Sequence, residues 1–81
     1  MNWKDYVHSD PSILLGKPVV RGTRLSVEFI LSLFSEGWTE GQLLENYPTL
    51  DSNAIQAVFA FAAECLREDV FYLPLLSVEA S

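Results

Sequence analysis

The apolar residues after position 25 fall into three stretches in which they recur three and four positions apart, as on one face of an α-helix. The same start signal precedes each stretch: an apolar residue, then a Ser, Thr or Asp suited to cap a helix, then an apolar residue that packs on the first. The paired apolar residues are Leu25 and Ile30, Trp38 and Leu43, and Leu50 and Ile55. The pattern predicts helices near residues 26–36, 39–46 and 52–69.

The sequence also marks where these helices end. Gly37 follows the first helix, where a C-terminal cap needs a positive φ angle. Thr39 and Gln42 have the spacing of a capping box at the start of the second helix, and Pro48 prevents that helix from continuing. The second helix, a short turn and the third helix together have the lengths of a helix-turn-helix.

The third predicted helix is apolar over a wide arc. Its main face consists of Ile55, Val58, Phe59, Ala62 and Leu66, and a second seam consists of Ala54, Val58, Phe61 and Cys65. So broad an arc is typical of a helix with neighbours on two sides, and two short helices offer little cover for both. We therefore expect the second seam to pack against a second copy of the chain in a homodimer.

The first 24 residues show turn-forming and extended patterns instead of helical spacing. Residues 3–8 alternate loosely, as a short strand does, while residues 13–15 and 18–20 flank Gly16 in the manner of a small β-hairpin. A second bend at residues 22–23 should lead the chain into the first helix. The predicted fold is mostly α: a three-helix, homeodomain-like helix-turn-helix domain with a short N-terminal β-hairpin.

Four motifs occur in order along the chain. They are Asp10-Pro11, Gly16-Lys17-Pro18-Val19-Val20-Arg21-Gly22-Thr23-Arg24-Leu25, Gly37-Trp38-Thr39 and Asn46-Tyr47-Pro48-Thr49-Leu50. Between Ser9 and Ala62 this order resembles the signature of the "domain of unknown function 433" family, and the Gly-Lys-Pro-x-x-Arg-Gly-Thr-Arg run is its most specific part. The resemblance implies a small domain with a helix-turn-helix, encoded beside a PIN-like nuclease and acting as its antitoxin.

Length and composition indicate one domain over residues 1–81, divided into an extended segment (1–24), a helical body (25–70) and an apolar tail (71–81). With 49% hydrophobic residues, the chain has enough apolar surface for a core and an interface. Its longest apolar run, residues 57–63, is far shorter than the roughly 20 residues that cross a bilayer. Cys65 is the sole cysteine, and no apolar leader is seen, so we expect a cytoplasmic protein without an internal disulfide.

The formal net charge of −6 is unevenly distributed. Residues 1–24 contain four basic residues and two acids, a net charge of +2, whereas residues 25–81 contain one arginine and nine acids, a net charge of −8. A polyanion would therefore have to meet the N-terminal segment, because the rest of the chain repels it. The acidic body suits a basic protein partner equally well.

The candidate binding residues fall into two groups. Lys17, Arg21, Thr23 and Arg24 form a basic bend for DNA or a protein partner, and Asn53 and Gln56 lie with Ala57 and Ala60 on the expected outer face of the third helix. Asn and Gln side chains can pair with adenine, but the same face could be an ordinary solvated surface. Likewise, the arginines either bind phosphate or tie the bend to acids such as Glu28 or Glu45.

No group of residues predicts catalysis. Gly16-Lys17 lacks the spacing of a nucleotide-binding loop, and His8 has no neighbouring metal ligand. Cys65 has no histidine at a recognisable offset, so we interpret it as a small buried hydrophobe. No metal, cofactor or small-molecule substrate is expected.

The apolar residues 70–76 either complete the chain's own core or dock on a partner.

Three functional hypotheses remain. The leading one is a non-catalytic antitoxin-like protein that binds and neutralises a PIN-like nuclease, with binding of operator DNA through the helix-turn-helix as an optional second role. The second is a stand-alone DNA-binding regulator. The third is a structural interaction module without contact to nucleic acid.

Overall fold

A computed structural model describes residues 2–68 of the chain. It confirms a mostly helical fold with a two-stranded antiparallel sheet near the N-terminus. In chain order the elements are a 3₁₀ turn at Trp3–Asp5, strand β1 at Val7–His8, a 3₁₀ turn at Leu14–Gly16, strand β2 at Val19–Val20, and helices α1 at Val27–Ser35, α2 at Glu40–Asn46 and α3 at Ser52–Glu68.

Each helix begins at the cap that the sequence predicts. Ser26 Oγ accepts a hydrogen bond of 2.9 Å from the Phe29 backbone N–H at the start of α1. Thr39 and Gln42 form the complete capping box of α2, and Asp51 Oδ1 accepts a bond of 2.7 Å from the Ala54 N–H in α3. These side chains satisfy donors that have no partner inside the helix.

Helix α1 ends in a left-handed cap at Gly37, whose φ is 98°. The Gly37 N–H donates to the Phe34 carbonyl at 3.0 Å, and the Trp38 N–H donates to the Leu33 carbonyl at 3.1 Å. These two bonds define a Schellman motif, which requires a residue that tolerates positive φ at the position of Gly37. The predicted C-terminal cap is therefore confirmed.

The core lies where the three helices meet the small sheet. Its fully buried large side chains are Val19, Ile30, Leu43, Ile55 and Val58. The N-terminal turn adds Trp3, whose ring meets Phe61 of α3 edge to face at a centroid distance of 4.8 Å. The N-terminal segment is therefore part of the packed structure and covers one side of α3.

This cover corrects our interpretation of α3. Ala54 and Val58, two of the four residues predicted for the dimer seam, are 4% and 0% exposed in the chain's own core. Ala57, expected on the outer face, is also fully buried, whereas Phe59 and Leu66, expected on the core face, are 46% and 56% exposed. The wide apolar arc of α3 has a second neighbour, but that neighbour is the N-terminal segment of the same chain.

The predicted hairpin is wrong in its pairing. Strand β2 pairs with β1, with Val7 opposite Val20 and His8 opposite Val19. Residues 13–15 form no strand, because both edges of β2 are taken: on its other side Val20 N–H donates to the Leu25 carbonyl at 3.0 Å.

Within residues 2–68, no helix has the length and apolar composition needed to cross a membrane.

Two glycines provide a matched test of this description. An alanine Cβ at Gly37 would meet open space, so Gly37→Ala should lower the free energy of unfolding by about 1–2 kcal/mol through its left-handed φ alone. Gly41 lies inside α2, where Gly41→Ala should raise that free energy by up to about 1 kcal/mol. Urea denaturation followed by far-UV circular dichroism measures both. A Gly37→Ala protein as stable as wild type would contradict the assigned cap.

Candidate partner-binding surface

Residues 18–27 form a tight bend that joins β2 to α1. Thr23 N–H donates to the Val20 carbonyl at 3.1 Å, closing a turn in which Gly22 has a φ of 78°. Val27 N–H donates to the Pro18 carbonyl at 2.9 Å, so the two sides of the bend are bonded to each other. Arg21 N–H donates to the Tyr6 carbonyl at 2.7 Å and fixes the bend to the N-terminal turn.

Thr23 holds this bend together from the inside. Its hydroxyl donates to the Val20 carbonyl at 2.8 Å and accepts from the Leu25 N–H at 3.0 Å, in a partly buried position. A hydroxyl that already donates and accepts within the chain has little capacity left for a ligand. We predicted Thr23 as a binding residue, and the geometry instead gives it a structural role in positioning its neighbours.

Arg21 and Arg24 are the exposed charged residues of the bend. The Arg21 Nε donates to the Lys4 carbonyl at 3.4 Å, a weak contact that leaves the guanidinium charge without a carboxylate. Within residues 2–68, the ion pairs are Lys17 with Glu28 and Arg67 with Glu64, so neither arginine of the bend has a carboxylate partner there. Of the two alternatives for these arginines, an ion pair with Glu28 or Glu45 is not seen.

Lys17 differs from the two arginines. Its Nζ lies 3.0 Å from Glu28 Oε1, and both side chains are more than half exposed. An exposed pair of this kind contributes at most about 1 kcal/mol and is screened by salt. Lys17 is therefore partly neutralised, and the net positive charge of the bend comes from Arg21 and Arg24.

The turn before the bend carries an apolar feature that the sequence analysis missed. Leu14 and Leu15 have φ angles of 50° and 57°, and Gly16 follows at 85°. A leucine in the left-handed region is strained by roughly 1–2 kcal/mol. Leu15 is also 96% exposed, so its side chain gains no burial within the chain to offset the strain. Strained residues persist at sites of function more often than elsewhere, which makes Leu15 a candidate contact residue.

The predicted helix-turn-helix surface is present and acidic. Asn53 and Gln56 are exposed on the first turns of α3, as predicted. The positive end of the α3 dipole is already occupied by the Asp51 carboxylate. In the preceding helix α2, Glu40 and Glu45 are also exposed. No Lys or Arg occurs from residue 25 to residue 66. Such a surface offers amide groups to read a base and no cation to neutralise a phosphate.

The remaining titratable residues give no further site. The backbone N–H and then the hydroxyl of Ser12 donate to Asp10, which lowers the pKa of that carboxyl below its usual value. The contribution of this turn to stability is thus present at neutral pH and is lost in acid as pH falls through the lowered pKa.

Cys65 is exposed, so its interpretation as a buried hydrophobe is wrong. Among residues 2–68, no three His, Cys, Asp or Glu side chains cluster as a metal site would.

A comparison with protein families decides the classification. Residues 7–62, more than half of the chain, match the family model described as "Protein of unknown function (DUF433)". The chain belongs to the DUF433 family. The matched range covers both strands, the basic bend, α1, α2 and most of α3, so the bend and the helix-turn-helix are parts of the DUF433 domain itself.

The chain is also similar to two known proteins. Uncharacterized protein y4eO of Sinorhizobium fredii is 37% identical over 59 residues, which are 73% of this chain and 27% of that protein. The crystal structure of a DUF433 member from Anabaena variabilis superposes with a TM-score of 0.74 at 22% identity, covering 80% of this chain and 64% of that one. The DUF433 chain thus spans about a quarter of its curated relative, and the crystal structure supports the fold.

Two substitutions distinguish a structural from a binding role for Thr23. Thr23→Val removes a donor and an acceptor from a partly buried position and should lower the free energy of unfolding by about 1–3 kcal/mol. Thr23→Ser keeps the hydroxyl and should stay within about 1 kcal/mol of wild type. Thermal and urea unfolding measure the difference. Equal stabilities of the Val and Ser variants would contradict the assignment.

Proposed function

We propose that this DUF433 protein is a non-catalytic, antitoxin-like protein that binds and neutralises a PIN-like nuclease through its basic bend. The observation that carries the proposal is the state of Arg21 and Arg24. Both are exposed on a bend whose backbone is bonded on two sides, and neither meets a carboxylate within the described residues. Guanidinium groups held in this way are suited to bind a planar carboxylate with two hydrogen bonds.

The chemistry of the partner supports this choice. A PIN-like nuclease has an acidic site that holds its metal ions, and carboxylates there are natural acceptors for Arg21 and Arg24. The bend loses little conformational freedom on binding, because turn and strand hydrogen bonds already fix residues 18–27. The acidic helical body would repel the acidic site, so the complex would be oriented with the bend inward.

Leu15 adds an apolar contact to the same segment. It lies three residues before Pro18, where the bend begins, and presents almost its whole side chain to solvent. Arginine is enriched among the residues that carry binding energy at interfaces, and covering an exposed leucine removes apolar surface from water. We therefore include Leu15 with Arg21 and Arg24 in the nuclease-binding surface.

The test mixes the protein with a PIN-like nuclease, the product that the family resemblance implies for a neighbouring gene. Wild type should form a complex and inhibit nuclease activity, and the double variant Arg21→Ala, Arg24→Ala should raise the dissociation constant by at least about 30-fold, the loss expected for charge pairs that are desolvated at an interface. Arg67→Ala is the matched control, because Arg67 is an exposed arginine on α3 outside the bend. Titration calorimetry and RNA cleavage measure the two effects.

Leu15→Gly separates binding from stability in the same experiment. Glycine tolerates the left-handed φ, so the free energy of unfolding should stay within about 1 kcal/mol of wild type while nuclease affinity falls. Leu66→Ala, at an exposed leucine of α3, should leave affinity unchanged. Absence of a wild-type complex, or full inhibition by the double arginine variant, would overturn the proposal.

A second candidate function is binding of operator DNA, which the exposed amides of Asn53 and Gln56 favour. The acidic α2–α3 surface requires a homodimer that brings Lys17, Arg21 and Arg24 of both copies to the phosphates. A mobility-shift titration at two salt concentrations tests this function. Retardation that weakens with salt, and that disappears in Asn53→Ala, Gln56→Ala, would support it. A protein that binds the nuclease and leaves DNA unshifted at low salt acts through protein contacts alone.

A further inference from the structure

An apolar groove of about 450 Å³ lies between α1 and the last turns of α3. Its lining residues are Lys17, Pro18, Val27, Glu28, Leu31, Phe61, Ala62, Cys65 and Leu66. The Lys17–Glu28 ion pair belongs to this lining, and all the others are apolar or, as at Cys65, a thiol. The groove is separate from the exposed arginines of the bend and from the amides of α3.

The groove exists because the helices differ in length. Helix α3 has 17 residues and α1 has 9, which correspond to about 25 Å and 13 Å. The first half of α3 is covered by α1, α2 and the N-terminal segment, as the burial of Ile55 and Val58 shows. The last turns extend beyond this cover, and Leu66 is 56% exposed. Burial of such a surface is favourable, so a complementary segment would stabilise the fold.

The sequence that follows α3 has the matching chemistry. The described residues end at Glu68, and residues 70–76 read Val-Phe-Tyr-Leu-Pro-Leu-Leu, without a single charge. We propose that residues 70–76 of the same chain dock in the groove between α1 and α3. This segment lies outside the described residues.

The segment is long enough to reach its site. Phe61 lies seven residues before Glu68, a distance of about 10 Å along the helix axis. An extended chain covers about 3.3 Å per residue, so three or four residues bring it back to Phe61. The covalent link also gives the segment an effective concentration near the millimolar range, which an independent partner must exceed.

A second copy of the chain is a less suitable occupant. A two-fold interface requires a surface that is complementary to itself, and a groove is complementary to a ridge. Within residues 2–68, the exposed large apolar side chains other than Leu66 lie at Leu14, Leu15, Phe29 and Phe59, and none of these lines the groove. The proposed docking of residues 70–76 would supply such a ridge through the side chains of Phe71, Leu73 and Leu75.

Cys65 makes the proposal testable, because the sole cysteine lies in the groove. In the 81-residue chain, docking should slow modification of Cys65 by the thiol reagent DTNB. The variant Phe71→Asp, Leu73→Asp of the same chain should restore a rate at least tenfold faster, while Val78→Asp, beyond the apolar run, should leave it slow. Circular dichroism checks that the variants keep the helical fold. Equal rates in wild type and in the double Asp variant would overturn the proposal.

A cross-link identifies the occupant without weakening the segment. Leu73→Cys should form a disulfide with Cys65 within one chain under mild oxidation, and Ser81→Cys should do so at least tenfold more slowly. A disulfide mainly between two chains, or DTNB protection that depends on protein concentration, would assign the groove to a second copy and overturn the proposal.

Discussion

Strand β2 is hydrogen-bonded on both edges, and the rest of the structure depends on this arrangement. Val19 and Val20 are 0% and 4% exposed, so this two-residue strand lies in the core. On one side it pairs with β1, and on the other it bonds residues at the entry to α1. Both the N-terminal segment and the first helix are thereby fixed to the same two valines, and breaking either set of bonds would leave buried backbone groups without partners.

The same arrangement separates the charges of the molecule. The bend after β2 places Arg21 and Arg24 at the surface, while Thr23 between them is used to close the turn. The helices that follow contribute acids at nearly every exposed charged position up to Arg67. A domain of this size buries only a small core. Positioning the cations with backbone hydrogen bonds therefore uses less buried apolar surface than an additional helix or strand would need.

Local signals predicted most of the helical structure. Ser26, Thr39, Asp51 and Gly37 act through residues within a few positions of themselves, and their predicted roles agree with the structure. The pairing of Val7 with Val20 could not be predicted in this way, since strands of two residues have no periodicity to detect. Leu15 was assigned to a strand because sequence patterns contain no sign that a leucine adopts a left-handed conformation.

The candidate site shows the same division between local and distant causes. The exposure of Arg21, Arg24, Asn53 and Gln56 agrees with the sequence pattern, because turns and helix faces are local features. Ala54 was predicted for a dimer seam and is buried in the chain's own core, while Trp3, at the other end of the chain, covers α3 at Phe61. Lys17 proved to be the residue paired with Glu28, a contact that depends on how α1 is oriented against the bend.

The closed edges of β2 also limit how another molecule can be recognised. Many protein partners bind by adding an extended peptide to a sheet, where the backbone of the sheet supplies the hydrogen bonds and accepts many sequences. Because both edges of β2 are occupied, that route is closed at this strand. Recognition at the neighbouring bend, as proposed above, would then depend on side-chain identity, which favours discrimination between closely related partners over broad tolerance.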